Sequence, residues 1–256
     1  MVIIYRWSGG VRATPVGRDF LRMARSILEQ IDALVATARA TGRGETGRIA
    51  IGFCTSLTRG SLRATIVDFK QRFPRIAVGT VERSRARLTT ALRNGVIDVH
   101  ITTGDREHFD NKVMPLWSER ILVVLSDSHP LAACEVIYWT DLRGQTVLLS
   151  QYDPGRELER LLNAKLLATS DRPQIERHDV SRGAIKNLVS MDSGISLVLE
   201  SDTGASLCGL LYRELRDGSG PGRIDFSAVW RPDNENPALA NFLDLLRERY
   251  PLTSAA

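Results

Sequence analysis

From Gly47 in Gly47-Arg48-Ile49-Ala50-Ile51-Gly52-Phe53 the pattern changes to a short apolar run, Arg48 to Phe53; Leu57 to Phe73 follows with apolar residues at helical spacing, and Pro74 separates it from a second run, Ile76 to Val81. Strand, helix and strand in this order predict a β-α-β unit, its strands parallel because the helix carries the chain back along the sheet. Outward from this unit the pattern continues. A helix from Ser84 to Asn94 is stopped by Gly95, and a third strand, Val96 to Thr102, ends at Thr103-Gly104. Trp117 to Ser126 holds the strongest apolar run, Ile121-Leu122-Val123-Val124-Leu125, and reads as a buried strand leaving the first unit. After His129-Pro130 and Tyr138 to Leu142 the plan begins again: strand Thr146 to Ser150, helix Gly155 to Leu167, strand Gln174 to Asp179, helix Arg182 to Met191 and strand Ile195 to Leu199. Arg223 to Trp230 reads as a return strand. Pro237 to Tyr250 reads as a last amphipathic helix with Leu239, Phe242, Leu243, Leu246 and Tyr250 on one side. The predicted fold class is α/β, two lobes joined by two crossing strands into a clamshell.

Ahead of the lobes, Phe20, Ala24, Ile27, Ile31, Leu34 and Ala38 recur at alternating spacings of four and three. That period predicts a long helix with one coiled-coil seam, which calls for a partner helix. Thr14 as N-cap and Pro15 at the first helical position mark its start, and Thr41-Gly42-Arg43-Gly44 its end. The organisation is then a helix and hinge at 14–44, a first lobe at 47–126 plus 230–251, and a second lobe at 127–229.

The 256 residues are enough for a real core, and 43% hydrophobic with 25% charged residues is the balance of a water-soluble globular chain. Cys54, Cys134 and Cys208 are odd in number, far apart and without a C-x-x-C pair, which argues against a disulfide framework or structural zinc. Residues 1–13 lack the pattern of a secretory signal, and no apolar run is long enough to span a bilayer, so a cytoplasmic protein with no membrane partner is predicted. The net charge of +4, carried mostly by arginine, fits a solvated surface, nucleic-acid association or anionic ligands.

In parallel sheets ligands settle beyond the carboxyl ends of strands, where helix N-termini offer free N–H groups. Cys54, Thr55 and Ser56 sit at such a turn, ahead of the helix from Leu57; Arg83 and Ser84 end the second strand, and Thr102 and Thr103 the third. In the second lobe Ser150 and Gln151 precede a helix entrance, and Val180, Ser181 and Arg182 repeat that arrangement. Each hydroxyl is also a candidate helix cap, and Arg83 a candidate surface cation that could pair with a carboxylate. Catalysis has less support. His100, His108, His129 and His178 lack metal-ligand spacing, and there is no G-x-S-x-G elbow or phosphate-binding G-x-x-x-x-G-K-[ST]. Gly218-Ser219-Gly220-Pro221-Gly222 reads as a flexible loop, and Asp98 as a structural residue. No enzyme, metal or cofactor is predicted.

Gly10-Val11-Arg12-Ala13-Thr14-Pro15-Val16-Gly17 is followed by Gly47-Arg48-Ile49-Ala50-Ile51-Gly52, Phe69-x-x-Arg72-Phe73-Pro74 and Leu92-x-x-Gly95-x-x-Asp98. Then come His129-Pro130-Leu131-Ala132 and Gly194-Ile195-Ser196-Leu197-Val198. In this order the segments resemble LysR-type transcriptional regulators, over about residues 9 to 251. The resemblance implies a dimerising linker helix and a two-lobe effector domain similar to periplasmic binding proteins of type 2. It implies that residues 1–13 are the remnant of a winged helix-turn-helix, Gly9 to Arg12 being the wing's tip and exit. Met1 to Trp7 does not match the usual strand before that wing. DNA would then be reached only through a missing or a partner's helix-turn-helix. The family contacts its effector at the turn matching Cys54 to Ser56 and at the strand end matching Thr102 and Thr103. The positions matching Ser150, Gln151, Val180 and Ser181 line the far wall. Glu200 and Ser201 stand where a family member often has a proline and a polar residue. The implied partners are a small anionic or polar effector and a second copy of the chain, with tetramers known in the family. Rival readings are an interaction protein that pairs with intact regulators through residues 16–38, and a solute-binding protein.

Overall fold

The computed structural model describes residues 4–7, 9–40, 47–103, 110–205 and 207–251. The described residues open with an antiparallel hairpin, β1 (Ile4–Trp7) on β2 (Gly10–Ala13), so Ile4–Trp7, within the stretch that does not match the family's usual strand, is a paired strand. Helix α1 (Pro15–Ala40) follows at once. Buried Thr14 caps it, Oγ1 accepting the Gly17 N–H at 2.8 Å. Of the seam, Phe20, Ile27 and Ile31 are largely exposed and Ala24 is half-buried. Leu34 and Ala38 lie on the helix, their side chains outside the described residues.

The first lobe is β3 (Gly47–Phe53), α2 (Gly60–Arg72), β4 (Ile76–Glu82), α3 (Arg85–Arg93) and β5 (Val99–Thr103), with β4, β3 and β5 parallel in that order. The pleat explains its layers. Ile49, Ile51 and Phe53 face a core with Phe69 of α2, while Ala50 and Cys54 face Leu88 and Leu92 of α3. Gly52 is required on the α3 side, where an added Cβ would come within 2.8 Å of Leu88 Cδ2 and closer still to Ile97. Asp98 ties the lobe together, accepting from the Ala50 N–H (2.7 Å) and from the amides of Asn234 (3.1 Å) and Asn236 (3.0 Å).

Strand β6 (Lys112–Ser126) is the crossing element, and it begins earlier than the expected Trp117. The second lobe adds β7 (Val136–Tyr138), β8 (Thr146–Ser150), α4 (Gly155–Lys165), β9 (Gln174–His178), α5 (Arg182–Ser190) and β10 (Ser196–Leu199). Then come β11 (Leu210–Asp217), β12 (Gly220–Pro221), β13 (Arg223–Trp230) and α6 (Pro237–Arg249). The first half of β6 pairs with β13, and its second half with β10 and β11. Strand β13 in turn pairs with β5 of the first lobe. Strand β6 therefore changes partners halfway along its length, and β13 lies between β6 and β5.

Two further expectations need correction. The glycines at 218–222 are a hairpin turn, not a free loop: Asp217 pairs with Gly220 and Arg216 with Pro221, and β11 went unread because its apolar residues are interleaved with charge. Helix α2 starts at Gly60 rather than Leu57, because Ser56 Oγ accepts the Thr58 N–H (3.2 Å) and holds a tight side-chain turn instead of capping a helix. In α6, Asn236 is the cap, accepting from the Ala238 N–H at 3.0 Å, with Pro237 in the first turn.

Candidate functional site

The carboxyl ends of β3, β4 and β5 meet those of β8, β9 and β10 across the gap between the lobes. Two arginines bridge it. Arg182, first residue of α5, reaches from the second lobe and donates to the Thr55 carbonyl (2.9 Å), the Cys54 carbonyl (3.4 Å) and Glu82 Oε1 (2.6 Å). Asp202 Oδ1 stands 3.8 Å from the same guanidinium. Arg85, first residue of α3, reaches the other way: its backbone N–H donates to Asp153 Oδ2 (2.9 Å), and Glu157 lies 3.8 Å from its Nη2. The same Nη2 donates to the Thr103 carbonyl (2.6 Å) and Oγ1 (2.7 Å).

Behind Arg182 the second lobe keeps a slot of about 20 Å³ lined by Ser150, Pro154, Leu158, Arg182, Ile185 and Asp202, all of that lobe, space for about one water molecule. The lobes touch directly. Thr55 Oγ1 lies 3.2 Å from Ser201 Oγ, and Thr58 Oγ1 donates to the Ser201 carbonyl at 2.7 Å, fastening the 3-10 turn Glu200–Gly204 to the start of α2. At the crossing of β6, buried Glu119 accepts from the Ser201 N–H (3.1 Å) and the Trp117 indole N–H (3.1 Å). Burial pushes its pKa above the usual carboxylate value despite those bonds. Arg120 grips both Glu200 (2.7 Å) and Glu214 (2.9 Å), and holds the Glu200 pKa down.

The predicted residues divide into distinct roles. Thr102 is fully buried, and its Oγ1 has no partner among the described residues. Thr55 and Ser56 are buried at the lobe contact. The Cys54 thiol is pushed up to about 11, first by burial, then by Asp153, against Arg85 and Arg182, which is the electrostatic signature of a group between these charges. Thr103 is committed to Arg85. Ser150 is committed to its own lobe, donating to the Val180 carbonyl (2.8 Å) and accepting from the Tyr152 N–H (3.2 Å). The Gln151 N–H donates to the His178 carbonyl (2.9 Å). Ser181 caps α5, accepting from the Ala184 N–H at 3.3 Å, whereas Ser84 stands at the α3 cap position without a side-chain bond. Exposed Arg83 donates to the Glu82 carbonyl (2.7 Å). The cations that span the gap are Arg85 and Arg182, not Arg83, and sequence reasoning missed Arg85, Glu82, Asp153 and Asp202. Their signal was faint: a charged residue closing a strand, or three positions past a strand end, is indistinguishable from surface charge until the lobes are brought together.

Lys186, buried one turn into α5, donates to the carbonyls of Asp202 and Ala205 (3.5 Å to the latter). Burial lowers its pKa while Asp202 raises it, so it acts as a structural clasp on the Glu200–Gly204 turn. No cluster of three or more His, Cys, Asp or Glu side chains among the described residues could hold a metal ion.

Comparison with known proteins decides what this cleft belongs to. The profile of the LysR substrate binding domain matches residues 42–251. The chain belongs to the LysR-type regulators. Among relatives, the HTH-type transcriptional regulator AlsR of Bacillus subtilis (strain 168) is 26% identical over 249 residues, 96% of this chain and 80% of AlsR. The Hca operon transcriptional activator HcaR of Escherichia coli (strain K12) is 24% identical over 245 residues, 96% of this chain and 82% of HcaR. The crystal structure of CbnR, a LysR family transcriptional regulator, superposes with a TM-score of 0.79 at 20% identity, covering 93% of this chain and 82% of CbnR. The BenM effector binding domain with its effector benzoate gives 0.67 at 24% identity, covering 79% of this chain and 91% of that one. Residues 42–251 are thus the effector-sensing part of a LysR-type regulator, with the two-lobe fold of that family. No helix among the described residues is long and apolar enough to cross a membrane.

Proposed function

We propose that this chain binds a small anionic or polar effector between its two lobes and passes the change in lobe closure to paired α1 helices of a cytoplasmic homodimer. The observation that carries the reading is the cleft itself. Strand ends of both lobes hold hydroxyls and the guanidiniums of Arg85 and Arg182, and Thr102, at the end of β5, is fully buried with its hydroxyl unpartnered among the described residues. A buried hydroxyl without a partner is costly, and a polar ligand would relieve it. The benzoate seated in the BenM effector binding domain supports a small organic anion here. An effector with higher affinity for one lobe arrangement shifts the population toward it, and by no more than that difference in affinity. In a regulator with paired linker helices the shift changes the geometry presented to an operator.

Thermal unfolding across a panel of small carboxylates, amino-acid derivatives and sugar acids tests the site. A compound that raises the Tm of the wild type should lose its effect when Ser56→Ala and Thr102→Val are combined; undiminished stabilisation of the double variant refutes the assignment. A second reading, an interaction protein that pairs with intact regulators through residues 16–38, draws on the exposed Phe20, Ile27 and Ile31. Co-purification with a full-length relative supports it, and separate elution counts against it.

A further inference from the structure

Each lobe already holds an anion, and the anion is the other lobe's own carboxylate. Glu82, at the end of β4 in the first lobe, sits on Arg182 of the second at 2.6 Å. Asp153 of the second lobe sits on the first N–H of α3 at 2.9 Å, with Glu157 beside Arg85 at 3.8 Å. The two carboxylates around Arg182 are not equivalent. Asp202 is 5% exposed, its Oδ2 accepting from the Leu199 N–H at 3.2 Å, so it is fixed in place and too far from the guanidinium for a hydrogen bond. The Glu82 side chain is 60% exposed, so water competes for it and its pairing adds little to stability. Arg182 itself is only 20% exposed and is oriented by the Cys54 and Thr55 carbonyls, so its fork stays aimed into the cleft whether or not Glu82 is there. At the end of β5 in the first lobe, the Thr102 hydroxyl is buried without a partner among the described residues.

We propose that Arg182 is the receptor for the effector's carboxylate, and that Glu82 holds that place in the resting cleft as a built-in competitor. The proposal rests on the reading of the cleft as the effector site and adds its chemistry. A ligand carboxylate takes the Glu82 position on Arg182 with a charge-assisted pair, while the Cys54 and Thr55 carbonyls keep the guanidinium in place. Apparent affinity is set below the intrinsic affinity by the fraction of time Glu82 occupies the guanidinium.

The test is isothermal titration of the intact chain with acetate, benzoate and succinate, each beside its neutral amide, at fixed ionic strength, for the wild type, Glu82→Gln and Arg182→Gln. Thermal unfolding of each variant without ligand establishes that it is folded. A carboxylate should bind Glu82→Gln about tenfold or more tighter than the wild type and Arg182→Gln at least tenfold weaker, while the amides are indifferent to both substitutions. Wild-type affinity in folded Arg182→Gln, or no gain in Glu82→Gln, overturns the proposal. Binding by an amide that depends on Ser56 and Thr102 but not on Arg182 overturns it while the cleft reading stands. No binding by any probe to any variant, Glu82→Gln with its freed guanidinium included, overturns both.

Discussion

Replacing Ile31 with Asp tests whether α1 is a pairing helix, and the structure sets the size of the effect. Ile31 keeps 49% of its surface exposed in the single chain, Ile27 54% and Phe20 43%, on one stripe of a 26-residue helix. Burying a whole isoleucine side chain contributes roughly 1.5–3 kcal/mol, so covering the half that remains contributes about 1 kcal/mol per copy. In a symmetric dimer the loss counts twice, about 2 kcal/mol, and two carboxylates forced toward an apolar seam cost at least about 1 kcal/mol more. A loss of about 3 kcal/mol raises the dimer Kd by roughly a hundredfold or more. Sedimentation equilibrium of the wild type and Ile31→Asp over a range of concentration reads this directly. The folded monomer should be nearly unaffected, because a half-exposed helix position tolerates a polar residue within about half a kcal/mol. A sedimentation profile unchanged by the substitution refutes the argument, whatever the thermal stability of the variant.

Asp98→Ala should lower stability by about 2–4 kcal/mol in urea unfolding, since it orphans the Ala50 N–H and frees Asn234 and Asn236 together; a loss below about 1 kcal/mol would show that the tie is dispensable. Glu119 binds its proton more tightly folded than unfolded, so its contribution to stability is greatest below the ordinary carboxylate range. That contribution is lost as pH rises through the raised folded value. Stability measured from about pH 4 to pH 7 should fall with this slope in the wild type and lack it in Glu119→Gln; parallel curves would rule it out. Cys54, buried and with a thiol pKa near 11, should stay unreactive to a thiol reagent at neutral pH while exposed Cys208 reacts; comparable rates for the two would contradict the packing of Cys54 against α3.

Local rules carried most of the fold. The alternation of Ile49, Ile51 and Phe53 against Ala50 and Gly52, the caps Thr14 and Asn236, and the stop at Gly95 act over a few residues, so they can be read without knowing what lies across the chain. Strands Thr146–Ser150 and Arg223–Trp230 fall where the pattern put them for the same reason. The strand Leu210–Asp217 escaped notice because each of its faces mixes core with ion pairs, Leu210 with Glu214 on one and Leu215 with Asp217 on the other, so no alternation of apolar and polar residues shows in its sequence. The site was legible only as a set of strand ends. Which of them meet depends on β6 switching partners halfway along its length, and on contacts between residues far apart in sequence, such as Arg182 with Glu82 and Arg85 with Asp153. A charge near a strand end looks the same in sequence whether it faces solvent or the opposite lobe. Hydrophobic period fixes which face of an element is buried, whereas pairing across the cleft is a property of the closed tertiary structure alone.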